Sequence, residues 1–187
     1  MKRNKEATWT DSLDESPLGP ITFSITKRGL VRVHFGTSRE ITINGNLQEI
    51  STLPTQRDLL AEIKLQLAAY FSGRLKIFDI PVDWGVLSIF QQKAFRALQK
   101  VPYGQITTYS RLANDIGQPN ATRAVGGAMA RNPMPVIIPC HRVVASDGQL
   151  TGYSGSGGLE TKAWLLQLEG RLVTGQRVVD NGNTAVR

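Results

Sequence analysis

Chemistry on this chain has one starting point, the run Pro139-Cys140-His141-Arg142. Cys140 is the single cysteine among 187 residues, so an internal disulfide and a thiolate metal cluster are both excluded. With only His34 and His141, a histidine-rich metal site is not expected either, and nothing in the sequence asks for a cofactor. A free cysteine is most often a small buried hydrophobe. Here, however, His141 and Arg142 follow at once, and cationic neighbours raise a thiol's thiolate fraction. Pro135 and Pro139 stiffen the approach, which suits a nucleophile that needs a fixed position. Adjacent residues on an extended chain point to opposite sides, so His141 reaches Cys140 only where the backbone turns, or through a bridging water. Taken singly, Arg123 reads as a solvated charge, Tyr109 as a core aromatic and Glu169 as a surface carboxylate.

The elements that must position these residues follow from periodicity. Residues 1–16, MKRNKEATWTDSLDES, read as a polar leader without the apolar stretch of a signal peptide. Alternating runs Ile21–Ile25 and Leu30–Phe35 flank Thr26–Gly29, a β-hairpin with Gly29 at the bend. Residues 39–57 have no clear pattern. Apolar residues at helical spacing predict a helix over Leu59–Phe71, closed by Gly73, and a short strand over Phe78–Val82. A second amphipathic helix spans Ile89–Leu98, with Phe90, Ala94, Phe95 and Leu98 on one face. After a turn at Pro102–Gln105, Tyr109–Ile116 and Ala121–Arg131 form two short helices joined by a Gly-containing turn, a helix-turn-helix pattern. The apolar, Pro-interrupted stretch 132–144 must be mostly buried. Gly148–Gly158 reads as a flexible Gly/Ser-rich loop, Lys162–Glu169 as a closing helix, and 171–187 as a polar, poorly ordered tail.

Hydrophobic content of 41% and charged content of 20% fit a globular protein, and no apolar run is long enough to cross a bilayer. The expected location is cytoplasmic, or nuclear in a eukaryote. The net charge of +7 is uneven. Residues 1–85 carry 11 basic and 10 acidic side chains, whereas 86–187 carry 11 and 5. A basic second half beside a near-neutral first half points to a polyanionic partner. A composition shift near Asp83–Val86 divides the chain, giving residues 1–85 as an N-terminal α/β domain, 86–170 as a helix-turn-helix domain and 171–187 as the tail.

The run Pro139-Cys140-His141-Arg142-Val143, preceded by Asn132-Pro133, resembles the active-site segment of the O6-alkylguanine-DNA alkyltransferases, or methylated-DNA–protein-cysteine methyltransferases. The likeness extends through VPYGQITTYSRLA, RAVGGAMARNP, TGYSG and KAWLLQLEG, covering residues 86–170, and more loosely the SPLGP hairpin at 17–35. It implies a ribonuclease H-like α/β domain followed by a mainly helical domain with a winged-helix-like helix-turn-helix. The implied activity is direct, single-turnover reversal of DNA alkylation: a monomer takes the alkyl group of O6-alkylguanine, with O4-alkylthymine a second candidate, irreversibly onto its own cysteine. The implied partner is double-stranded DNA, entered from the minor groove with the damaged base flipped into a pocket. By position, Cys140 would be the nucleophile, His141 the base acting through water, Glu169 its holder and Asn132 the brace of the turn. Tyr109, Tyr153, Ser154 and the carbonyls of Cys140 and Val143 would line the pocket. Arg123 would fill the gap left by the base, and Ser110, Gln118, Gln91 and Ser146 would touch DNA. Small residues Ala121, Gly126, Gly127, Ala128 and Ala130 would allow close approach to the groove. The loop Tyr153–Gly158 is longer than the family's usual form. Three other readings compete: an alkyl-lesion sensor that does not react, a Cys–His hydrolase, and a helix-turn-helix protein with an inert cysteine.

Overall fold

The computed structural model describes residues 8–36, 54–153, 155 and 157–179, and the chain divides into two compact units, Met1–Val86 and Leu87–Arg187.

In the first unit, strands β1 (Trp9–Leu13), β2 (Ile21–Thr26) and β3 (Gly29–Phe35) form an antiparallel sheet in the order β1-β2-β3. Ile21, Phe23 and Ile25 of β2 and Leu30, Val33 and Phe35 of β3 are buried, as alternation demands. The polar leader is thus partly a strand: β1 is an edge strand that buries Trp9, pairs along β2 and keeps its polar residues half-exposed. Polar composition hid it, because an edge strand of this kind needs few apolar side chains. Helix α1 (Pro54–Phe71) begins before the expected Leu59, with proline at its first position, and buries Leu60, Ile63, Leu67 and Tyr70. An ion pair from Lys64 to Asp11 (2.9 Å) joins α1 to β1. Most of the unpatterned stretch 39–57 lies outside the described residues.

The strand expected over Phe78–Val82 is reduced to a single parallel bridge between Val82 and Leu30. The cause is competition for its backbone. Gln66 accepts from the Asp79 N–H (2.8 Å) and donates to the Asp79 carbonyl (3.1 Å), while Pro81 has no N–H to give. What remains is the pair of bonds from Leu30 N–H to the Pro81 carbonyl (2.8 Å) and from Asp83 N–H to the Leu30 carbonyl (2.9 Å). Gly29 opens β3 with φ +134°, and a Cβ there would run into the Pro81 carbonyl. Buried Asp83 then locks the hairpin turn, accepting from Thr26 (2.8 Å), Arg28 (3.0 Å) and the Gly85 N–H (3.0 Å).

The second unit opens with α2 (Ile89–Gln99), which buries Ala94, Phe95 and Leu98. Ser88 and Gln91 close a reciprocal capping box at its start. Two-residue strands β4 (Thr107–Thr108) and β5 (Val143–Val144) pair in parallel, Thr107 with Val143 and Thr108 with Val144. Thr108 also caps α3 (Tyr109–Asp115), its hydroxyl accepting from the Arg111 N–H. A 3₁₀ turn (Pro119–Ala121) leads into α4 (Thr122–Ala130), completing the helix-turn-helix. Residues 134–144 are buried throughout, as their apolar character requires. Helix α5 (Gly158–Leu168) starts four residues earlier than expected.

Where a poorly ordered tail is expected, strands β6 (Leu172–Thr174) and β7 (Arg177–Val179) form a hairpin, and residues 180–187 of that stretch lie outside the described residues. Val178 joins Val144, Leu150 and Leu166 in one apolar cluster. The hairpin also fixes the start of the Gly/Ser-rich loop: Leu150 N–H donates to the Gln176 carbonyl (2.7 Å) and Val178 N–H to the Gly148 carbonyl (3.0 Å). Short strands with Gly at the bend are hard to tell from a tail by composition, since one buried valine carries most of the signal.

Gly29→Ala should destabilise the first unit by about 2 kcal/mol or more, because it combines left-handed strain with a backbone clash. Urea melts would show this; a loss under 0.5 kcal/mol would contradict the close approach.

Candidate active site

Cys140 begins a single 3₁₀ turn, Cys140–Arg142, that ends directly in β5. The turn supplies the backbone bend that an approach of His141 to Cys140 requires. Upstream, Cys140 N–H donates to the Ile138 carbonyl (2.8 Å) across Pro139, whose φ of −81° and ψ of 62° make an inverse γ-turn. Arg142 N–H donates to the Pro139 carbonyl (2.9 Å). Val136, with φ +75°, is the one non-glycine residue of positive φ among the described residues. A β-branched residue there stores about 1–3 kcal/mol of strain, held by the packing around it. The amide of Asn132 ties this approach together. Its Nδ2 donates to the Ile138 carbonyl (2.8 Å) and to Cys140 Sγ (3.2 Å), while Oδ1 accepts from the Met134 N–H (3.0 Å). Cys140 as a whole is 3% exposed.

Glu169 caps the C-terminus of α5 and gathers three partners. Oε1 accepts from His141 Nε2 (2.8 Å) and Arg142 Nη2 (2.9 Å), and Oε2 accepts from Arg142 Nε (2.9 Å) and the Gly104 N–H (3.0 Å). Burial alone would push this carboxyl up. The hydrogen bonds and charges of His141 and Arg142 outweigh it and hold the group well below the usual carboxylate range. Burial likewise lowers His141, against the pull of Glu169, so the imidazole is neutral near pH 7. An ionised Glu169 accepting from Nε2 assigns the ring proton to that nitrogen and leaves Nδ1 as the basic one. Arg142, whose Nη1 also donates to the Val101 carbonyl (2.7 Å), is committed to Glu169. The cationic neighbourhood expected from His141 and Arg142 is therefore not theirs to supply.

A second buried cation of the unit is one that the sequence did not single out. Lys162 of α5 is fully buried, and its Nζ donates to the carbonyls of Val143 (2.6 Å) and Thr151 (2.7 Å). A lysine on an amphipathic helix reads as solvent-facing, and only the tertiary fold puts this one inside. Both carbonyls expected to face guanine already accept a bond, that of Cys140 from the Val143 N–H and that of Val143 from Lys162 Nζ.

The remaining residues fall into two groups. Tyr109, first residue of α3, has its hydroxyl bonded by Thr151 Oγ1 (2.9 Å), and its ring lies against Gly126 at van der Waals distance from a notional Cβ there. Burial raises its phenol, as does the charge of Cys140, against the Thr151 bond. Tyr153 has a buried hydroxyl that meets no hydrogen-bond partner among the described residues; burial, then the charges of Cys140 and Glu169, push that phenol well up. Ser154 lies outside the described residues. Arg123, on the first turn of α4, is exposed, as are Ser110, Gln118 and Ser146. Gln91 is occupied by the capping box of α2, its Oε1 accepting from the Ser88 N–H (3.0 Å). Of the small residues expected at the groove, Ala128 is buried and packs inward, whereas Ala130 is exposed.

A buried thiol on a turn, a His–Glu pair beside it and an exposed helix-turn-helix in the same unit define a class: a thiol nucleophile built into a helix-turn-helix scaffold. Residues 11–84 match the 6-O-methylguanine DNA methyltransferase ribonuclease-like domain, and residues 89–171 match the DNA binding domain of the same family. The chain is 40% identical over 156 residues to the methylated-DNA–protein-cysteine methyltransferase of Methanosarcina acetivorans, covering 83% of this chain and 95% of that one. It is 37% identical over 155 residues to the constitutive methylated-DNA–protein-cysteine methyltransferase of Bacillus subtilis, covering 83% and 92%. The crystal structure of a Mycobacterium tuberculosis relative in complex with DNA superposes with a TM-score of 0.69 at 35% identity, over 86% of this chain and 91% of that one. The chain belongs to the methylated-DNA–protein-cysteine methyltransferase family.

Replacing Glu169 by alanine should lower stability by about 3–5 kcal/mol, since it leaves Arg142 buried and unpaired. The Glu169 contribution is fully present above the usual carboxylate range and is lost as pH falls through and below it, because the unfolded chain then binds a proton that the folded one refuses. Urea melts should therefore show the gap between wild type and Glu169→Gln narrowing below about pH 4; a gap constant down to pH 3 would contradict the assignment.

Proposed function

We propose that this protein reverses alkylation damage in DNA by transferring the alkyl group of O6-alkylguanine irreversibly to Cys140, one molecule for each lesion. The observation that carries the reading is the Asn132–Cys140 bond together with the His141–Glu169 pair, set in the unit that holds the helix-turn-helix. The named relatives act on methylated DNA with a protein cysteine as acceptor, and one solved neighbour is bound to DNA.

In this reading neutral His141 takes the thiol proton at Nδ1, through a bridging water, while Glu169 fixes Nε2–H. The Asn132 amide donating to sulfur favours the anion and fixes its direction. Sγ then attacks the alkyl carbon: the S–C bond forms, the C–O6 bond breaks and its electron pair stays on guanine. The proton taken from the thiol balances the purine. A neutral phenol serves the leaving oxygen as a hydrogen-bond donor, and Tyr109 and Tyr153 both stay protonated for that purpose. The Cys140 and Val143 carbonyls receive the guanine amino group. The thioether has no leaving group and no second thiol to release it, so turnover stops at one.

A carbon inside a duplex is unreachable until its base is flipped, at a cost of a few kcal/mol. Exposed Arg123 at the start of α4 fills the vacated place, with Ser110, Gln118 and Ser146 against the backbone, while Gln91 supports α2. The basic residues from 86 onward add sequence-independent attraction to phosphates. The alkyl-transfer domain runs from residue 86 to 170, with 1–85 its α/β companion. Among the described residues no helix is long and apolar enough to cross a membrane. Its substrate places the protein in the compartment that holds DNA.

The test is to mix protein with duplex DNA bearing one O6-methylguanine, then take an intact mass and a peptide map, with Cys140→Ala as control. One methyl on Cys140, saturating at one equivalent and absent from the variant, is expected. An unchanged mass despite tight lesion binding would sink the reading and leave a damage sensor; ester turnover would favour a hydrolase. Arg123→Ala should slow methyl transfer from duplex DNA by ten-fold or more while leaving reaction with free O6-benzylguanine base within two-fold. Equal slowing of both reactions would remove Arg123 from the flipping step.

A further inference from the structure

The parallel pairing of β4 with β5 sends two chain segments out of the same end of that small sheet. Thr108 lies opposite Val144, so Tyr109 and Ser110 of α3 emerge beside Ala145 and Ser146. Thr151 closes the following loop back to α3 through its bond to the Tyr109 hydroxyl (2.9 Å). Ser110 and Ser146, both exposed, therefore share one edge of the unit with the start of the helix-turn-helix.

The loop after β5 carries one acidic side chain. Asp147 is the only carboxylate between Asp115 and Glu160, and it stands next to Ser146. Alone, it would repel a phosphate approaching that serine. It is not alone: Oδ1 accepts from the Gln149 N–H (3.0 Å) and Oδ2 from Arg177 Nη2 (3.2 Å), 30 residues along the chain. The arginine arrives on the β6–β7 hairpin, beyond residue 171, where the match to the family's DNA binding domain ends. Backbone contacts fix its place. Gln149 bridges Arg177 in antiparallel fashion, Val178 N–H donates to the Gly148 carbonyl (3.0 Å), and the Val178 side chain is buried. Alternation along β7 then turns Arg177 outward.

Among the described residues, Asp147 engages one of the arginine's five N–H donors. The two side chains are 53% and 51% exposed, and so open a pair adds little to folding. Stability alone does not account for the arginine. A phosphate surface uses both of its roles, because the guanidinium cancels Asp147 and offers a planar fork to an oxyanion.

We propose that the β6–β7 hairpin extends the DNA surface of this unit, with Arg177 donating to a backbone phosphate beside Ser146 on the duplex that the helix-turn-helix holds. The assignment deepens the function proposed above and rests on α3 and Ser146 facing DNA. A phosphate contact positions the duplex and reads neither base nor lesion, so Arg177 should matter equally on damaged and undamaged DNA.

The test uses a fluorescein-labelled duplex without damage, on which no alkyl transfer takes place. Its Kd is measured from about 50 to 200 mM NaCl for wild type, Arg177→Gln, Asp147→Asn and the double variant. Arg177→Gln should weaken binding about three-fold or more at the lowest salt and reduce the salt slope by about one. Asp147→Asn should bind at least as tightly as wild type, and the double variant should keep the reduced slope. An unchanged slope in Arg177→Gln with a wild-type thermal melt would overturn the proposal. Recovery of the wild-type slope in the double variant would do the same, since Arg177 would then only mask Asp147. Alkyl transfer from free O6-benzylguanine base to Arg177→Gln should stay within about two-fold of wild type. A larger loss would assign the arginine to steadying the pocket loop and overturn the DNA contact. The two readings fail separately. Arg177-dependent binding with no methyl on Cys140 sinks only the repair chemistry, and methyl transfer with Arg177-independent binding sinks only the hairpin contact.

Discussion

The carboxylate of Glu169 is the interaction on which the rest of the second unit depends. It draws the imidazole and guanidinium of the Cys140–Arg142 turn and the backbone of the Gly104 turn onto the end of α5. Each bond alone is modest, but four donors on one buried carboxylate make removal costly, since two cationic or polar partners would be stranded together. The constraint is also electronic. A carboxylate that cannot accept a proton forces His141 into one tautomer, and that tautomer decides which nitrogen is left to act as a base.

The second constraint is the pairing of β4 with β5. Only four residues pair, yet Thr108 is at once a strand residue and the cap of α3, and Val143 follows directly on the Cys140 turn. Parallel pairing therefore fixes the start of the helix-turn-helix against the turn carrying the thiol. A protein that acts on a base lifted from a duplex needs this, because the distance between its contacts on the duplex and its reacting atom must not drift. The Thr151–Tyr109 bond and the Lys162 ammonium brace the same gap from the other side.

Much of this was legible in the residues themselves. The β2–β3 hairpin, α1, α2 and the helix-turn-helix announce themselves through alternation, helical spacing and glycine stops, because their signals are local. The thiol turn was legible through two prolines, a cysteine and an asparagine at short range. What stayed hidden depended on partners far along the chain. β1 and the β6–β7 hairpin are held by pairing and by a single buried residue each, Trp9 and Val178. The Phe78–Val82 strand was lost to a glutamine 13 residues earlier. Arg142 looked like the thiol's cation until Glu169 took it, and Lys162 looked like a surface lysine because burial is a property of the fold and not of the residue.

The order of these parts along the chain has a consequence for the protein while it is being made. Synthesis delivers Cys140 first. Lys162 comes 19 residues after the carbonyl it holds at Val143, Glu169 comes 28 residues after His141, and the hairpin that steadies the pocket loop follows both. At ribosomal speeds of about 5–20 residues per second, Cys140 precedes these partners by seconds. The contacts that shape the surroundings of the thiol therefore form only once the chain beyond Glu169 has been made.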